Sequence, residues 1–159
     1  MLHIKLIALG NLKESYLREA LAEYEKRLSA YARVDIAELK ECRVPDSPAP
    51  AEIEAALEKE ASAILAAIPP RAYVVALCVE GKQFSSEGLA EILQDAMTKS
   101  GTLVLVIGSS HGLSPRVKAA AGLQLSVSKL TFPHQMMRVL LLETVYRSLS
   151  ILGGSKYHK

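Results

Sequence analysis

Two loops in the last third of the sequence contain the residue types that could do chemistry. The first, residues 108–115, reads Gly-Ser-Ser-His-Gly-Leu-Ser-Pro and follows an apolar run that predicts a buried strand. The second, residues 127–134, reads Val-Ser-Lys-Leu-Thr-Phe-Pro-His and follows a shorter predicted strand. Ligands of open α/β sheets bind in the crevice beyond the carboxyl ends of the strands. The two loops therefore predict one crevice for a small ligand.

The first loop contains two glycines, Gly108 and Gly112, which would let its backbone approach a ligand closely. Their Gly-x-x-x-Gly spacing differs from the Gly-x-Gly-x-x-Gly fingerprint of dinucleotide-binding proteins, and the sequence contains no Walker motif. This spacing is compatible with both a ligand-binding loop and a plain tight turn.

The four histidines raise the question of acid–base chemistry or of a metal site. His111 and His134 fall in the two loops and His158 lies near the end, whereas His3 is on a predicted strand and is interpreted as structural. No cysteine or acidic cluster stands at metal-ligand spacing near them. The sequence therefore predicts no metal.

Three cations, Lys129, Arg138 and Arg147, could form a basic patch beside the crevice. Arg138 and Arg147 are separated by about two and a half turns of a predicted helix, so they do not share one face. This spacing favours independent, solvated charges over a patch.

The terminal residues Tyr157, His158 and Lys159 combine an aromatic ring, an imidazole and a cation. These are side-chain types that contact RNA bases and phosphates. The preceding residues 153–154 are both glycine and would let the segment leave the last helix and fold back towards a crevice. A frayed terminus is the alternative interpretation.

Strands and helices are predicted to alternate along the whole sequence. Apolar runs bounded by turn residues predict strands, and apolar spacing of three and four residues predicts helices. Residues 80–82 are expected to turn the chain. The alternation predicts a single domain, 1–159, with an α/β fold in which a mostly parallel sheet has helices on both faces. The predicted strands are 2–9, 34–39, 73–79, 102–107 and 123–127, and the predicted helices are 13–31, 51–68, 85–99, 114–122 and 133–152.

The last predicted helix is apolar on more than one face, since its apolar residues include Val139, Leu140, Leu141 and Leu142 in succession. One sheet cannot bury all of these side chains, so the helix needs a second buried surface. A homodimer would supply that surface, and we expect one.

Composition narrows the class of protein. Hydrophobic residues make up 50% of the chain and the formal net charge is +2, which permits a nucleic-acid partner without requiring one. No apolar run is long enough to predict a membrane span, and the amino terminus does not resemble a signal peptide. Cys42 and Cys78 stand far apart, which argues against a disulfide framework and favours a reducing cytoplasm.

The two loops, the start of the last helix and the terminus resemble one known family. The matching pieces are Val-Ile-Gly-Ser-Ser-His-Gly-Leu at 106–113, the run at 126–140 that contains Thr-Phe-Pro-His-Gln-Met-Met-Arg, and Tyr-His-Lys at 157–159. They are similar to the small SPOUT-class pseudouridine N3-methyltransferases (RlmH type) that modify bacterial large-subunit ribosomal RNA. Ser109 departs from this family, which often has a second glycine there.

The resemblance implies a SPOUT-type fold with a deep trefoil knot near the C-terminus, and S-adenosylmethionine as the methyl donor. It implies methylation of N3 of a pseudouridine in 23S ribosomal RNA, on the assembled ribosome. The catalytic residues that it implies are His134, Arg138, Tyr157 and His158. The cofactor-binding residues that it implies are Leu77, Gly108, Val127, Ser128, Lys129, Leu130, Thr131 and Phe132.

Two other functions stay open. One is a different nucleotide-using α/β enzyme, although the missing fingerprints count against it. The other is a non-catalytic module that binds the ribosome or RNA, which would transfer no methyl group even with a cofactor bound.

Overall fold

Strands and helices alternate along the chain as the sequence predicts. The structure is a computed structural model that describes the backbone of residues 1–158 and the side chains of residues 1–157. The strands are β1 (Leu2–Leu9), β2 (Ala32–Leu39), β3 (Tyr73–Lys82), β4 (Thr102–Val106) and β5 (Leu123–Leu125). The helices are α1 (Ser15–Leu28), α2 (Pro50–Ala67), α3 (Ser86–Lys99), α4 (Pro115–Ala120) and α5 (His134–Leu152), and a short 3-10 turn covers Lys156–His158.

The five strands form one parallel sheet in the order β2-β1-β4-β3-β5. In its register, Ile4 of β1 lies opposite Val34 on one side and Leu103 on the other. The parallel sheet confirms the predicted α/β class. It also brings the carboxyl ends of all strands to one side, which we call the carboxyl edge.

Each face of the sheet is covered by helices, because successive side chains of a strand point to opposite faces. On one face, Ile4 and Leu6 pack in a core with α1, α3 and α5. On the other face, Ile7 and Leu9 pack in a second core with α2 and α4. The strands are therefore apolar on both faces, which explains their nearly continuous hydrophobic runs.

Two helices begin at capping serines. The Ser85 hydroxyl accepts a hydrogen bond from the Gly88 N–H at the start of α3. The Ser114 hydroxyl accepts one from the Arg116 N–H at the start of α4, where Pro115 occupies the first helical position. Such caps satisfy N–H groups that have no partner within the helix.

The prediction that residues 80–82 turn the chain is wrong, since β3 continues to Lys82. An irregularity between Leu77 and Lys82 lets both residues pair with Leu125 of β5. A Cβ at Gly81 would lie only 2.6 Å from the Leu125 carbonyl carbon, so β5 can approach because residue 81 is glycine. Pairing with a strand that comes 40 residues later overrode the local turn signal.

Helix α5 finds much of its second buried surface within the same chain, against α1 and α3. Leu141, Leu142, Val145 and Leu149 are all buried there. Leu142 is not an outward position that could face a partner, because its side chain has no exposed surface. In the described part of the chain, no helix is both long and apolar enough to cross a membrane.

Candidate active site

A cavity of about 710 Å³ opens at the carboxyl edge, beyond the ends of β3, β4 and β5. Its walls come from three segments: the second half of β3, the loop that follows β4, and the loop between β5 and α5. Both loops singled out in the sequence therefore line one cavity, as the rule for open α/β sheets predicts.

The residues predicted to bind the cofactor line this cavity, with one exception. Lys129 is exposed and is not among the lining residues. The predicted residues that line the cavity are Leu77, Gly108, Val127, Ser128, Leu130, Thr131 and Phe132.

The loop after β4 is folded tightly on itself. The Gly112 N–H donates to the Ser109 carbonyl oxygen at 2.9 Å, and Gly112 has a φ of +90°, which favours glycine. A Cβ at Gly108 would lie 2.3 Å from the Gly112 carbonyl oxygen. Residue 108 must therefore be glycine for the loop's own closure, quite apart from any ligand.

A buried carboxylate supports this loop from behind. Glu60 of α2 is only 4% exposed. Its Oε1 accepts a hydrogen bond from the Ser109 hydroxyl at 3.1 Å, and its Oε2 accepts one from the Cys42 N–H at 2.9 Å. Sequence reasoning missed Glu60, because a glutamate in a charged, Ala-rich helix gives no signal of burial.

Two ion pairs connect α4 to neighbouring elements, and one of them lines the cavity. Glu58 of α2 accepts from the Ser114 hydroxyl and from the Arg116 guanidinium, and these hydrogen bonds lower the pKa of its carboxyl group. Lys118 pairs with Glu80, and both line the cavity. The hydrogen bond from Lys118 lowers the pKa of Glu80. Both carboxylates are therefore held in the charged form at neutral pH.

Cys78 presents a thiol at the cavity wall. Burial raises the pKa of this thiol, with a further contribution from the negative charge of Glu80. Because the nucleophilic form of cysteine is the thiolate, this environment disfavours a nucleophilic role for Cys78.

Histidine side chains occupy two positions on the cavity wall, His111 and His134. His134 is half-buried and begins α5, whereas His111 is exposed. His3 instead bonds to Asp35 at 2.6 Å, which confirms its structural interpretation and lowers the pKa of Asp35. Within the described residues, no group of three or more His, Cys, Asp or Glu side chains is arranged to hold a metal ion.

Arg138 lies at the carboxyl edge but not on the cavity wall. The expectation that it is a solvated charge is wrong, since it is 1% exposed. Its guanidinium donates to Glu38 at 2.7 Å and to the carbonyl oxygens of Leu9 and Gly10, both at 2.8 Å. Its Nε has no hydrogen-bond partner among the described residues. Arg138 thus ties α5 to the ends of β1 and β2.

Tyr157 packs on the second half of α5 and not in the cavity. Its hydroxyl donates to Glu143 at 3.0 Å, and its ring lies 4.7 Å from the guanidinium carbon of Arg147. Arg147 also pairs with Glu143, so it is not an independent solvated charge either. The side chain of His158 and the whole of Lys159, both part of the predicted tail, lie outside the described residues.

One comparison with known proteins bears on the chain. A family model described as predicted SPOUT methyltransferase matches residues 2–158. The match spans both loops of the cavity, the β3 segment that faces them and the start of α5. The chain therefore belongs to the SPOUT methyltransferase family.

Proposed function

We propose that the protein transfers a methyl group from S-adenosylmethionine to N3 of a pseudouridine in 23S ribosomal RNA, on the assembled ribosome. The observation that carries this proposal is the cavity that both motif-bearing loops line together. Family membership supports methyl transfer in general. The resemblance of the 106–113 and 126–140 segments to pseudouridine N3-methyltransferases supports the finer substrate.

The cavity fits a nucleoside-containing cofactor in size and chemistry. At about 710 Å³ it falls in the range of small-molecule sites, which is roughly 300–1,000 Å³. Leu77, Ile107 and Leu113 offer an apolar wall for a base, and the backbone of residues 126–132 can bond its edge. When bound there, S-adenosylmethionine supplies a methyl group that is already activated by a sulfonium. The protein then has mainly to align the donor and the acceptor.

N3 of a uracil ring carries a proton at neutral pH, and that proton must leave. His134 lies on the cavity wall, and an imidazole can accept a proton at this pH. A guanidinium stays protonated in proteins, so Arg138 cannot act as the base. We assign the base to His134, and we assign to Arg138 the positioning of α5, one turn further along the same helix.

The tail is proposed to act on the site of a partner copy. In one chain, the Tyr157 hydroxyl is bonded to Glu143, which lies nine residues beyond His134 on α5, a rise of about 13 Å. Tyr157 is therefore separated from its own cavity. A homodimer would let Tyr157 and His158 of one copy reach the cavity of the other, where the tyrosine ring could stack on the target base.

Two further proposals come from the family resemblance and from the cysteines. A trefoil knot formed by the segments around the two cavity loops is proposed on the resemblance, and a crystal structure traced through residues 108–134 would test it. The cytoplasm is proposed as the compartment because Cys42 and Cys78 are free thiols. Labelling of both thiols in freshly lysed cells would test that assignment, and a disulfide-bonded form would contradict it.

Methyl transfer to ribosomes is the decisive experiment. The protein is incubated with labelled S-adenosylmethionine and ribosomes that lack the modification, and the labelled nucleotide is mapped. We expect label at N3 of one 23S pseudouridine, and loss of that label with His134→Ala. Cofactor binding without transfer would favour the non-catalytic module. A rise in the thermal unfolding temperature with NAD or ATP, but not with S-adenosylmethionine, would favour a different nucleotide-using α/β enzyme.

A further inference from the structure

A second cavity, of about 650 Å³, lies beyond the end of β2 on the face covered by α2. The segment that follows β2 forms one wall and the middle of α2 forms the other. Its lining residues are Lys40, Glu41, Cys42, Arg43, Lys59 and Glu60. None of these residues belongs to the motifs that suggested methyl transfer.

The lining of the second cavity carries three cations and two carboxylates, Glu41 and Glu60, so its net charge is +1. Lys40, Arg43 and Lys59 are exposed, and within residues 1–157 none of the three side chains takes part in an ion pair or hydrogen bond. By contrast, Arg116 and Lys118 beside the first cavity are each paired with a glutamate. Both oxygens of Glu60 are already occupied by donors from Ser109 and Cys42. The three cations are therefore free to meet an anionic ligand.

The two cavities share a wall. Glu60 lines the second cavity and Ser109 lines the first, and the hydrogen bond of 3.1 Å between their side chains joins them. Both cavities open at the carboxyl edge of the same sheet. If one unit of a polyanion enters the first cavity, the adjoining units would therefore lie beside the three cations of the second cavity.

We propose that the second cavity binds backbone phosphates of the RNA next to the target nucleotide, an inference that rests on the proposed function. The lysine ammonium group and the arginine guanidinium group commonly bind phosphate in proteins. None of the six lining residues named above is aromatic, so they offer no ring on which a base could stack. Contacts of this kind position a nucleic acid without reading its sequence.

The salt dependence of RNA binding tests the three cations. Each phosphate contact contributes about 0.7 to the slope of log K against log salt for single-stranded RNA, so loss of three contacts lowers the slope by about 2. The test variant is Lys40→Gln, Arg43→Gln, Lys59→Gln, with poly(U) as the probe. The charge-matched control is Lys26→Gln, Arg33→Gln, Lys99→Gln, whose cations lie at the opposite edge of the sheet. We expect the slope to fall in the first variant and to stay near wild type in the control.

Affinity for S-adenosylmethionine is measured in both variants and should stay within twofold of wild type. An unchanged slope, or an equal fall in the control, would overturn the second site. If the wild type methylates ribosomes in that case, the proposed function stands without it. A reduced slope with no methyl transfer by the wild type would overturn the proposed function alone.

The cysteines provide an independent footprint, because Cys42 lines the second cavity and Cys78 lines the first. Alkylation of each thiol in the wild-type protein is followed by mass spectrometry of its peptide. Poly(U) should slow alkylation of Cys42 severalfold, and S-adenosylmethionine should slow that of Cys78. Protection of Cys42 by inorganic phosphate as strong as that by poly(U) would mean a site for free phosphate. A lack of protection of Cys42 by both poly(U) and ribosomes would mean that RNA does not occupy the second cavity, and either result would overturn the RNA assignment.

Discussion

At the scale of single residues, the loop after β4 depends on a side chain from outside it. Glu60 is a nearly inaccessible carboxylate that accepts hydrogen bonds from the Ser109 hydroxyl and the Cys42 N–H. Hydrogen bonds to charged groups contribute about 1.5–3 kcal/mol each, and a buried donor left without a partner costs a similar amount. Glu60 therefore couples the stability of the fold to the shape of the loop at Ser109.

We expect Glu60→Ala to lower the free energy of unfolding by about 3 kcal/mol, because it leaves the Cys42 N–H without its acceptor. Ser109→Ala should cost about 1 kcal/mol, since it removes only the hydroxyl contact. Urea unfolding followed by circular dichroism measures both. Glu54→Ala, at an exposed position of the same helix, is the control and should change little. Equal effects of Glu60→Ala and Glu54→Ala would contradict the supporting role.

The Cys78 thiol gives a pH-dependent prediction. Because burial raises its pKa, the thiolate forms only at a higher pH than in a free cysteine. Alkylation of Cys78 should therefore be slower than that of a model thiol at pH 8, and its midpoint should lie above the usual pKa of about 8.5. A rate profile from pH 6 to pH 10 provides the measurement. A midpoint below that of the model thiol would show that Cys78 is activated.

At the scale of elements, the fold of the loop after β4 requires glycine at position 108. Gly108→Val should weaken S-adenosylmethionine binding more than tenfold, because the new side chain would collide with the Gly112 carbonyl and force the loop to move. Unfolding should stay cooperative, since Leu113 is the one residue of the loop 108–115 that belongs to either core described above. Gly101→Ala is the matched control, because nothing lies within 4 Å of a Cβ placed there. Calorimetry that finds equal affinities for wild type and Gly108→Val would refute the site assignment.

The packing of helix α5 leads to a second prediction at this scale. Leu142→Glu should give insoluble or unfolded protein, because it buries an unpaired charge in the core between α5, α1 and α3. The loss of folding would come from the disrupted core of one chain and not from the loss of a dimer contact. Tyr16→Glu, at an exposed position of α1, is the control and should fold. A soluble, cooperatively folded Leu142→Glu protein would contradict the packing described for α5.

At the scale of the whole molecule, the tail and the cavity of one chain lie apart. Deletion of residues 155–159 should abolish methylation of ribosomes, whereas S-adenosylmethionine affinity should fall much less because the cavity loops remain. If the tail acts across a dimer, mixing the deletion variant with His134→Ala should restore up to about one quarter of wild-type activity, since half of the dimers are mixed and each has one complete site. Full turnover by the deletion variant alone would remove Tyr157 and His158 from the site. Sedimentation of the wild-type protein at low micromolar concentration that shows only a folded, active monomer near 17.2 kDa would rule out the dimer.

Most of the helices and strands, and the position of the cavity, could be predicted from the sequence. β1 was predicted as residues 2–9 and is Leu2–Leu9, and the helices predicted at 85–99 and 114–122 are Ser86–Lys99 and Pro115–Ala120. Periodicity and capping depend on residues a few positions apart, so the sequence shows them directly. The two loops could be placed at one edge because parallel strands must all end on the same side.

The partners of the isolated polar side chains could not be predicted from the sequence and follow from the folded structure. Ser109 meets Glu60 from 49 residues away, and Arg138 meets Glu38 and Gly10 from 100 and 128 residues away. Tyr157 meets Glu143, which holds it away from the cavity of its own chain. Charge and hydrogen-bonding groups give no periodic signal, and their burial depends on which distant segments the sheet brings together. The buried Glu60, the buried Arg138 and the basic second cavity could therefore appear only once the β2-β1-β4-β3-β5 order was known.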